Sequence, residues 1–209
     1  GVDSSTPEDN VSFQFDIEDL AGNVTPGITP TLGQSLVRVD LTQPEISGIS
    51  LVSTNDNGSL AKAGDNVTLE FSTSEAVVAP SIVIAGNIRP ADNRSLDGKA
   101  WKTVYHVQNE DNGSVNWNFA VMDLAGNLSE NVTQDDASLI TMDTKVPEVM
   151  NVVLLAMNSN PSFAKVGDQI ELTFSTSEPV EKALIRLNDN SLLESYASFT
   201  NANQQQWRT

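Results

Sequence analysis

Acidic and amide side chains recur at matched positions along this chain, and these residues have the clearest capacity for chemistry. Asp19 and Asn23 bracket one DLAGN segment, and Asp123 and Asn127 bracket another. Asp40 and Glu45 flank Pro44; Asp143 and Glu148 flank Pro147 at the same spacing. Glu75 and Glu178 each close an FSTSE segment. Hard oxygens of this kind suit calcium, which takes about six to eight of them from carboxylates, amides and carbonyls. The same residue types also build turns. An Asp accepts hydrogen bonds from backbone N–H groups just ahead of it, and Gly-Asn takes left-handed backbone conformations. The sequence is compatible with either role.

Catalysis finds little support. The chain has no cysteine and one histidine, His106. A nucleophile–base pair built on either residue is therefore out of reach. His106 stands between Tyr105 and Val107 in an alternating segment, where an outward-facing strand residue is expected. No serine lies in a nucleophile-elbow motif. The many carboxylates carry no glycosidase signal without a defined separation between a pair. The net charge of −17 and the absence of a basic stripe exclude nucleic acid as a partner class. Such a charge favours solubility and a salty or calcium-rich exterior. No apolar run reaches the length of a membrane span, and no signal peptide is present in these residues. The signal of an exported parent protein is expected outside them.

The elements that must position these residues are strands. Val67, Leu69 and Phe71 alternate with Thr68 and Glu70, and Ile170, Leu172 and Phe174 repeat the pattern. Val115, Trp117, Phe119 and Val121 line one face, as do Val11, Phe13, Phe15 and Ile17. Period-two alternation marks half-buried strands. Shorter strands are expected at 46–52, 81–85, 101–107 and 137–142. Gly, Pro and Asn breakers separate them, and no stretch shows helical periodicity. Short strands at this density predict an all-β chain of two-sheet antiparallel sandwiches. Trp117 is expected in the core, and Trp101 and Trp207 occupy matching positions.

The chain also repeats. AKAGDNVTLEFSTSE at 61–75 returns as AKVGDQIELTFSTSE at 164–178. A period near 100 residues fits a domain and is too long for a solenoid unit. Residues 42–144 are expected to form one complete domain. Residues 1–41 carry only the C-terminal half of another, and residues 145–209 only an N-terminal half. Joining Thr209 to Gly1 restores the missing unit and aligns Val11 with Val115. Neighbouring copies of the same repeat are therefore the expected partners. They could meet by head-to-tail complementation or by covalent continuation from Thr209 into the next Gly1.

In the DLAGN segments, the D-x-x-x-P-E linkers and the AKxGD…FSTSE stretches, the chain resembles bacterial immunoglobulin-like domains. These are tandem modules of large surface adhesins and extracellular filaments. The linkers Asp40-Leu-Thr-Gln-Pro44 and Asp143-Thr-Lys-Val-Pro147 depart from the family's usual middle positions. The resemblance implies a non-enzymatic spacer at the bacterial cell surface, with tandem immunoglobulin-like sandwiches rigidified by calcium at their junctions. It also implies that linker, B–C loop and F–G loop meet at one pole. That would gather Asp40, Glu45, Glu75, Asp123 and Asn127 at one junction, and Asp143, Glu148 and Glu178 at the next. Asp19 and Asn23 of another copy would complete the second site. Two other functions fit the same family. One is a glycan- or matrix-binding module using loops 87–100 or 188–206, or an exposed Trp stacked on a sugar. The other is an accessory domain of an exported enzyme.

Overall fold

The computed structural model describes residues 1–28, 37–134, 139–181, 183, 185, 198–199 and 205–208. These residues are all-β, without a helix. In particular, none forms a helix long and apolar enough to cross a membrane. The chain divides into two compact units, Gly1–Thr144 and Lys145–Thr209.

The first unit opens with a hairpin of β1 (Phe15–Glu18) and β2 (Val24–Ile28). Then come β3 (Ile46–Ser53), β4 (Leu60–Ala61) and β5 (Asn66–Thr73). They are followed by β6 (Ser81–Ile84), β7 (Asn87–Pro90), β8 (Asp92–Asn93) and β9 (Ala100–His106). The last four are β10 (Gly113–Ser114), β11 (Trp117–Phe119), β12 (Val132–Thr133) and β13 (Thr141–Met142). One antiparallel sheet runs β3-β5-β9-β8 and a second runs β12-β11-β6-β7. A small third sheet, β10-β13-β4, contains a parallel pair between β13 and β4.

The two larger sheets share one core, in a sandwich-like arrangement. Alternation decides which side chains enter it. Val67, Leu69 and Phe71 of β5 are buried, and Trp101, Thr103 and Tyr105 oppose them in reverse order on β9. Ile82, Ile84, Val115, Trp117, Phe119 and Val121 come from the other side, with Ile140 and Met142 closing the end. The Phe71 and Phe119 rings meet with centroids 4.4 Å apart, and Trp117 lies 5.8 Å from Phe119. Each fully buried side chain of this size contributes roughly 1.5–3 kcal/mol by leaving water.

Two expectations need correction. The alternating run at 11–17 forms strand only over Phe15–Glu18; the exposure of Val11, Phe13, Phe15 and Ile17 is that of an apolar face with no second sheet over it. Residues 87–93 are mostly sheet rather than a free loop, and only 94–99 form a turn segment. β7 pairs with β6, the chain turns inward at the buried Ala91, and β8 pairs with β9. Pro90 is tolerated because β7 is an edge strand, where no neighbour needs its missing N–H. The candidate loop 188–206 and the first half of the expected strand 137–142 lie mostly outside the described residues.

The second unit contains β14 (Val149–Ala156), β15 (Ile170–Thr176), β16 (Ser198–Phe199) and β17 (Gln206–Arg208). Its sheet order, β14-β15-β17-β16, repeats β3-β5-β9-β8. Phe174 pairs with Trp207 as Phe71 pairs with Trp101. Even the irregularity returns. β3 shifts register between Ser47 and Ser50, where Gly48 has φ 61°, and β14 shifts between Met150 and Val153, where Asn151 has φ 52°. Glycine takes that conformation freely, and asparagine is among the side chains that tolerate it. The Asn151 amide also donates to Ser175 Oγ at 2.8 Å.

Candidate functional site

The repeated motifs resolve into local bonding devices. In AKxGD, Asp65 Oδ2 accepts from Lys62 N at 2.8 Å and from Asn55 Nδ2 at 2.7 Å. Asp168 does the same with Lys165 N and Asn158 Nδ2. Gly64 and Gly167 supply the left-handed turn, with φ of 90° and 94°. In FSTSE, Ser74 Oγ accepts from Glu45 N at 2.9 Å, and Ser74 N donates back to Glu45 O at 2.9 Å. Ser177 and Glu148 repeat both bonds at 2.9 Å. Each linker is thus stitched by its glutamate backbone to the end of the long central strand. Glu8 holds the first linker from another side, accepting from Leu41 N and Thr42 Oγ1.

DLAGN is a turn closed by its own aspartate. Asp123 Oδ1 accepts from Ala125 N, Gly126 N and Asn127 N at 2.6–2.8 Å. Asn127 Nδ2 donates to Asp123 Oδ2 at 2.7 Å and reaches the linker at Asp40 O, 3.1 Å away. Asp123 is 1% exposed. Burial opposes its ionisation, but the hydrogen bonds from Asn127, Gly126 and Ala125 prevail and hold its pKa below the usual Asp value. Asp19 builds the same turn with Ala21 and Asn23, but on the surface. Its pKa is lowered too, chiefly by the Asn23 amide.

Among the described residues, one acidic cluster has converging oxygens. Asp40, Glu75 and Asp123 each place a carboxylate oxygen within 4.8 Å of the others. Beside it lies a cleft of about 450 Å³ lined by Arg38, Asp40, Glu75, Ala76, Lys99, Leu124 and Ala125. Burial, then the charges of Asp40 and Asp123, push the Glu75 pKa up; Lys99 and Arg38 pull it back. Of the other residues considered for metal binding, Asn127 touches the cluster through its N–H groups. Glu45 is exposed near Ser129 and Val132, outside the cluster. Asp143 lies at the other pole of its unit, where its N–H donates to Ala61 O. Asp143, Glu148, Glu178, Asp19 and Asn23 join no comparable cluster among the described residues.

The donor set fits a hard cation in type and convergence but is short in number. Asp123 Oδ1 already accepts three bonds, so Asp123 can offer only Oδ2. Arg38 and Lys99 offset part of the negative charge. Calcium held by Asp40, Glu75 and Asp123 would need the remainder of its six to eight oxygens from solvent or carbonyls.

Glu75 gives a test with a defined sign. Its pKa is raised in the folded protein, so its ionised form opposes folding. That cost is present at neutral pH and is relieved as pH falls below the ordinary Glu value of 4.5. Glu75→Gln should therefore stabilise the protein at pH 7, by a few tenths to about 1 kcal/mol, the range of partly solvated charge interactions. The gain should disappear in acid. Thermal melts of both proteins across pH check this; a destabilised variant at pH 7 would contradict it.

His106 ends β9 on the exposed side, with Nδ1 3.0 Å from Asn66 Oδ1. Trp101 and Trp117 are buried, and the Trp101 indole N–H donates to Gly98 O. Neither presents an open ring face. Comparison with protein-family models, curated proteins and solved structures finds no match.

Proposed function

We propose that the chain is a non-enzymatic structural module: tandem immunoglobulin-like sandwiches that give reach and stiffness to an extracellular bacterial adhesin or filament. The observation that carries this is the double bond pair between linker and strand end, Glu45 with Ser74 and Glu148 with Ser177. A linker bonded in both directions to the body it precedes cannot swivel at that point. The residues that repeat between the two units are thus engaged in turns and linker attachment. A spacer needs those features; an enzyme or an adhesive tip would need chemistry that departs from the repeat.

Small-angle scattering of chains carrying increasing numbers of repeats tests the reading. The maximum dimension should rise linearly with repeat number. Ser74→Ala with Ser177→Ala should broaden the distribution of shapes. A compact, non-additive series would count against a rod, and specific capture on a glycan array would favour a binding module.

Calcium is a separable part of this proposal. If Asp40, Glu75 and Asp123 take the ion, millimolar calcium should raise the melting temperature and a chelator should reverse it. A ligand at 100 times its Kd stabilises the folded state by about 2.7 kcal/mol. Glu75→Gln should blunt the response. An unchanged melting curve would remove calcium and leave the spacer intact.

A further inference from the structure

Asn57 and Asn160 occupy the same turn in the two units, but different residues follow them. Asn57 N donates to Asn55 Oδ1 at 3.0 Å, Asn57 Oδ1 accepts from Ser59 N at 3.2 Å, and Asn57 O accepts from Leu60 N at 2.8 Å. Asn160 repeats all three bonds, to Asn158 Oδ1 at 2.8 Å, from Ser162 N at 3.3 Å and from Phe163 N at 3.1 Å. The next residue is Gly58 in the first unit and Pro161 in the second. Asn112 also precedes a glycine, Gly113. Gly113, however, lies in β10 and pairs with Met142. The Asn112 carboxamide is held at both ends, accepting from Thr144 N at 3.2 Å and donating to Glu110 O at 2.9 Å.

We propose that Asn57 is a self-modification site, which deamidates through a cyclic imide formed with its own backbone. The Gly58 nitrogen loses its proton to hydroxide and attacks Asn57 Cγ. The five-membered ring closes as the Cγ–Nδ2 bond breaks and ammonia leaves. Water then adds to one of the two ring carbonyls. Opening at Cγ gives aspartate. Opening at the main-chain carbon gives isoaspartate, whose backbone runs through the side chain and is one carbon longer. One water is consumed, one ammonia is released, and nothing is oxidised or reduced.

The turn favours this reaction in three ways. A Cβ built on Gly58 would meet nothing within 4 Å, and glycine itself has none, so ring closure is uncrowded. Gly58 stands in an exposed turn between β3 and β4, so no sheet pairing has to open first. The Ser59 N–H points at Asn57 Oδ1, where negative charge develops as Cγ is attacked, and a donor already in place stabilises that charge. At Asn160 the attacking group is missing, because proline has no N–H. At Asn112 the β10–β13 pairing restrains Gly113, and Glu110 O holds the leaving nitrogen.

The two products differ in effect. Aspartate keeps the turn, as Asp3 does by accepting from Ser5 N at 2.9 Å. Isoaspartate disturbs it, because Leu60 is bonded back to the carbonyl that the chain no longer passes through. Leu60 begins β4, on which Thr141 and Asp143 close the sheet. Either product adds a negative charge to a chain already at −17. The proposal stands whether the module acts as a spacer or as a binder.

Peptide mapping by mass spectrometry tests it on the full chain aged at neutral and mildly alkaline pH. Residue 57 should gain about one dalton as a mixture of aspartate and isoaspartate, faster as pH rises. It should convert at least about tenfold faster than Asn112, the effect of about 1.4 kcal/mol on a rate. Asn160 should stay intact. Gly58→Pro installs the second unit's version of the turn and should stop the reaction. Gly58→Ala keeps the N–H and should slow it. Both variants should melt close to the wild type, which separates the chemistry from unfolding. Pro161→Gly should bring Asn160 into reaction and leave the rate at Asn112 unchanged. The isoaspartyl form, separated by ion exchange, should melt below both the unreacted chain and Asn57→Asp. Conversion at Asn57 no faster than at Asn112, conversion that persists in Gly58→Pro, or a rate that falls with pH would each overturn the proposal. An isoaspartyl form that melts with the unreacted chain would overturn its consequence for β4.

Discussion

Trp117→Ala should cost about 3–5 kcal/mol, the range for emptying a buried aromatic site. Trp117 is 5% exposed and lies on Phe119, which in turn covers Phe71. It also pairs across to Ile84 at the centre of the second sheet. Removing the indole therefore opens a void between both sheets, and the melting temperature should fall by about 4–8 °C per kcal/mol in a domain of about 100 residues. The indole N–H has no partner among the described residues. Trp117→Phe should accordingly recover most of the loss, since it gives up little beyond volume. Denaturant melts of the two variants measure this. Equal losses would mean that Trp117 acts through its N–H.

Asp123→Ala should be the second large effect, at about 2–4 kcal/mol. Its carboxylate accepts four N–H groups and is almost fully buried. Bonds to a charged acceptor contribute about 1.5–3 kcal/mol each, and a donor stripped of its partner adds a desolvation cost. The pH dependence has a clear sign. Because the folded pKa is lowered, the contribution is complete above the ordinary Asp range and is lost as pH falls through the lowered value. Wild type and variant should converge in strong acid. Asp19→Ala makes the same change in an exposed copy of the turn and should move the melt far less. A comparable loss at both positions would show that burial is not what gives Asp123 its weight.

The contrast between those two turns shows what the sequence could and could not disclose. Both DLAGN segments were readable as turns, because an Asp followed by Gly-Asn satisfies its own backbone over four residues. Whether the turn is buried depends on residues around it in space, such as Asp40 and Glu75 beside Asp123. The alternation of Val67, Leu69 and Phe71 was legible for the same local reason. Alternation at 11–17 was equally plain, yet these residues stay exposed, since a strand is buried only where another sheet covers it. The strands β4, β10 and β13 are two residues long and too short to show a period. The sequence Asn87-Ile-Arg-Pro90 looked like a loop, because its Pro and polar residues are excluded from central strands but not from an edge. The Glu45–Ser74 stitch joins positions 29 residues apart through the Glu45 backbone and the Ser74 hydroxyl and N–H, and the glutamate side chain, which takes no part in it, gives no local sign of it. In the acidic cluster, carboxylates were expected to converge. The neighbouring Arg38 and Lys99 were not anticipated, because nothing local connects them to the loops they approach.

The parallel pairing of β13 with β4 has a mechanical consequence. The chain enters the first sandwich through the linker at Asp40 and leaves just after β13. Tension between those points pulls β13 lengthwise against the body of the domain. Its bonds, from Thr141 N to Ser59 O and from Asp143 N to Ala61 O, lie across the direction of pull. They are loaded in shear and must fail together, whereas bonds at the end of a peeled hairpin fail singly. Proline at Thr141 removes one of them, and in single-molecule pulling it should lower the unfolding force more than it lowers thermal stability. A patch of two residues per strand would then set the load the module bears before it yields.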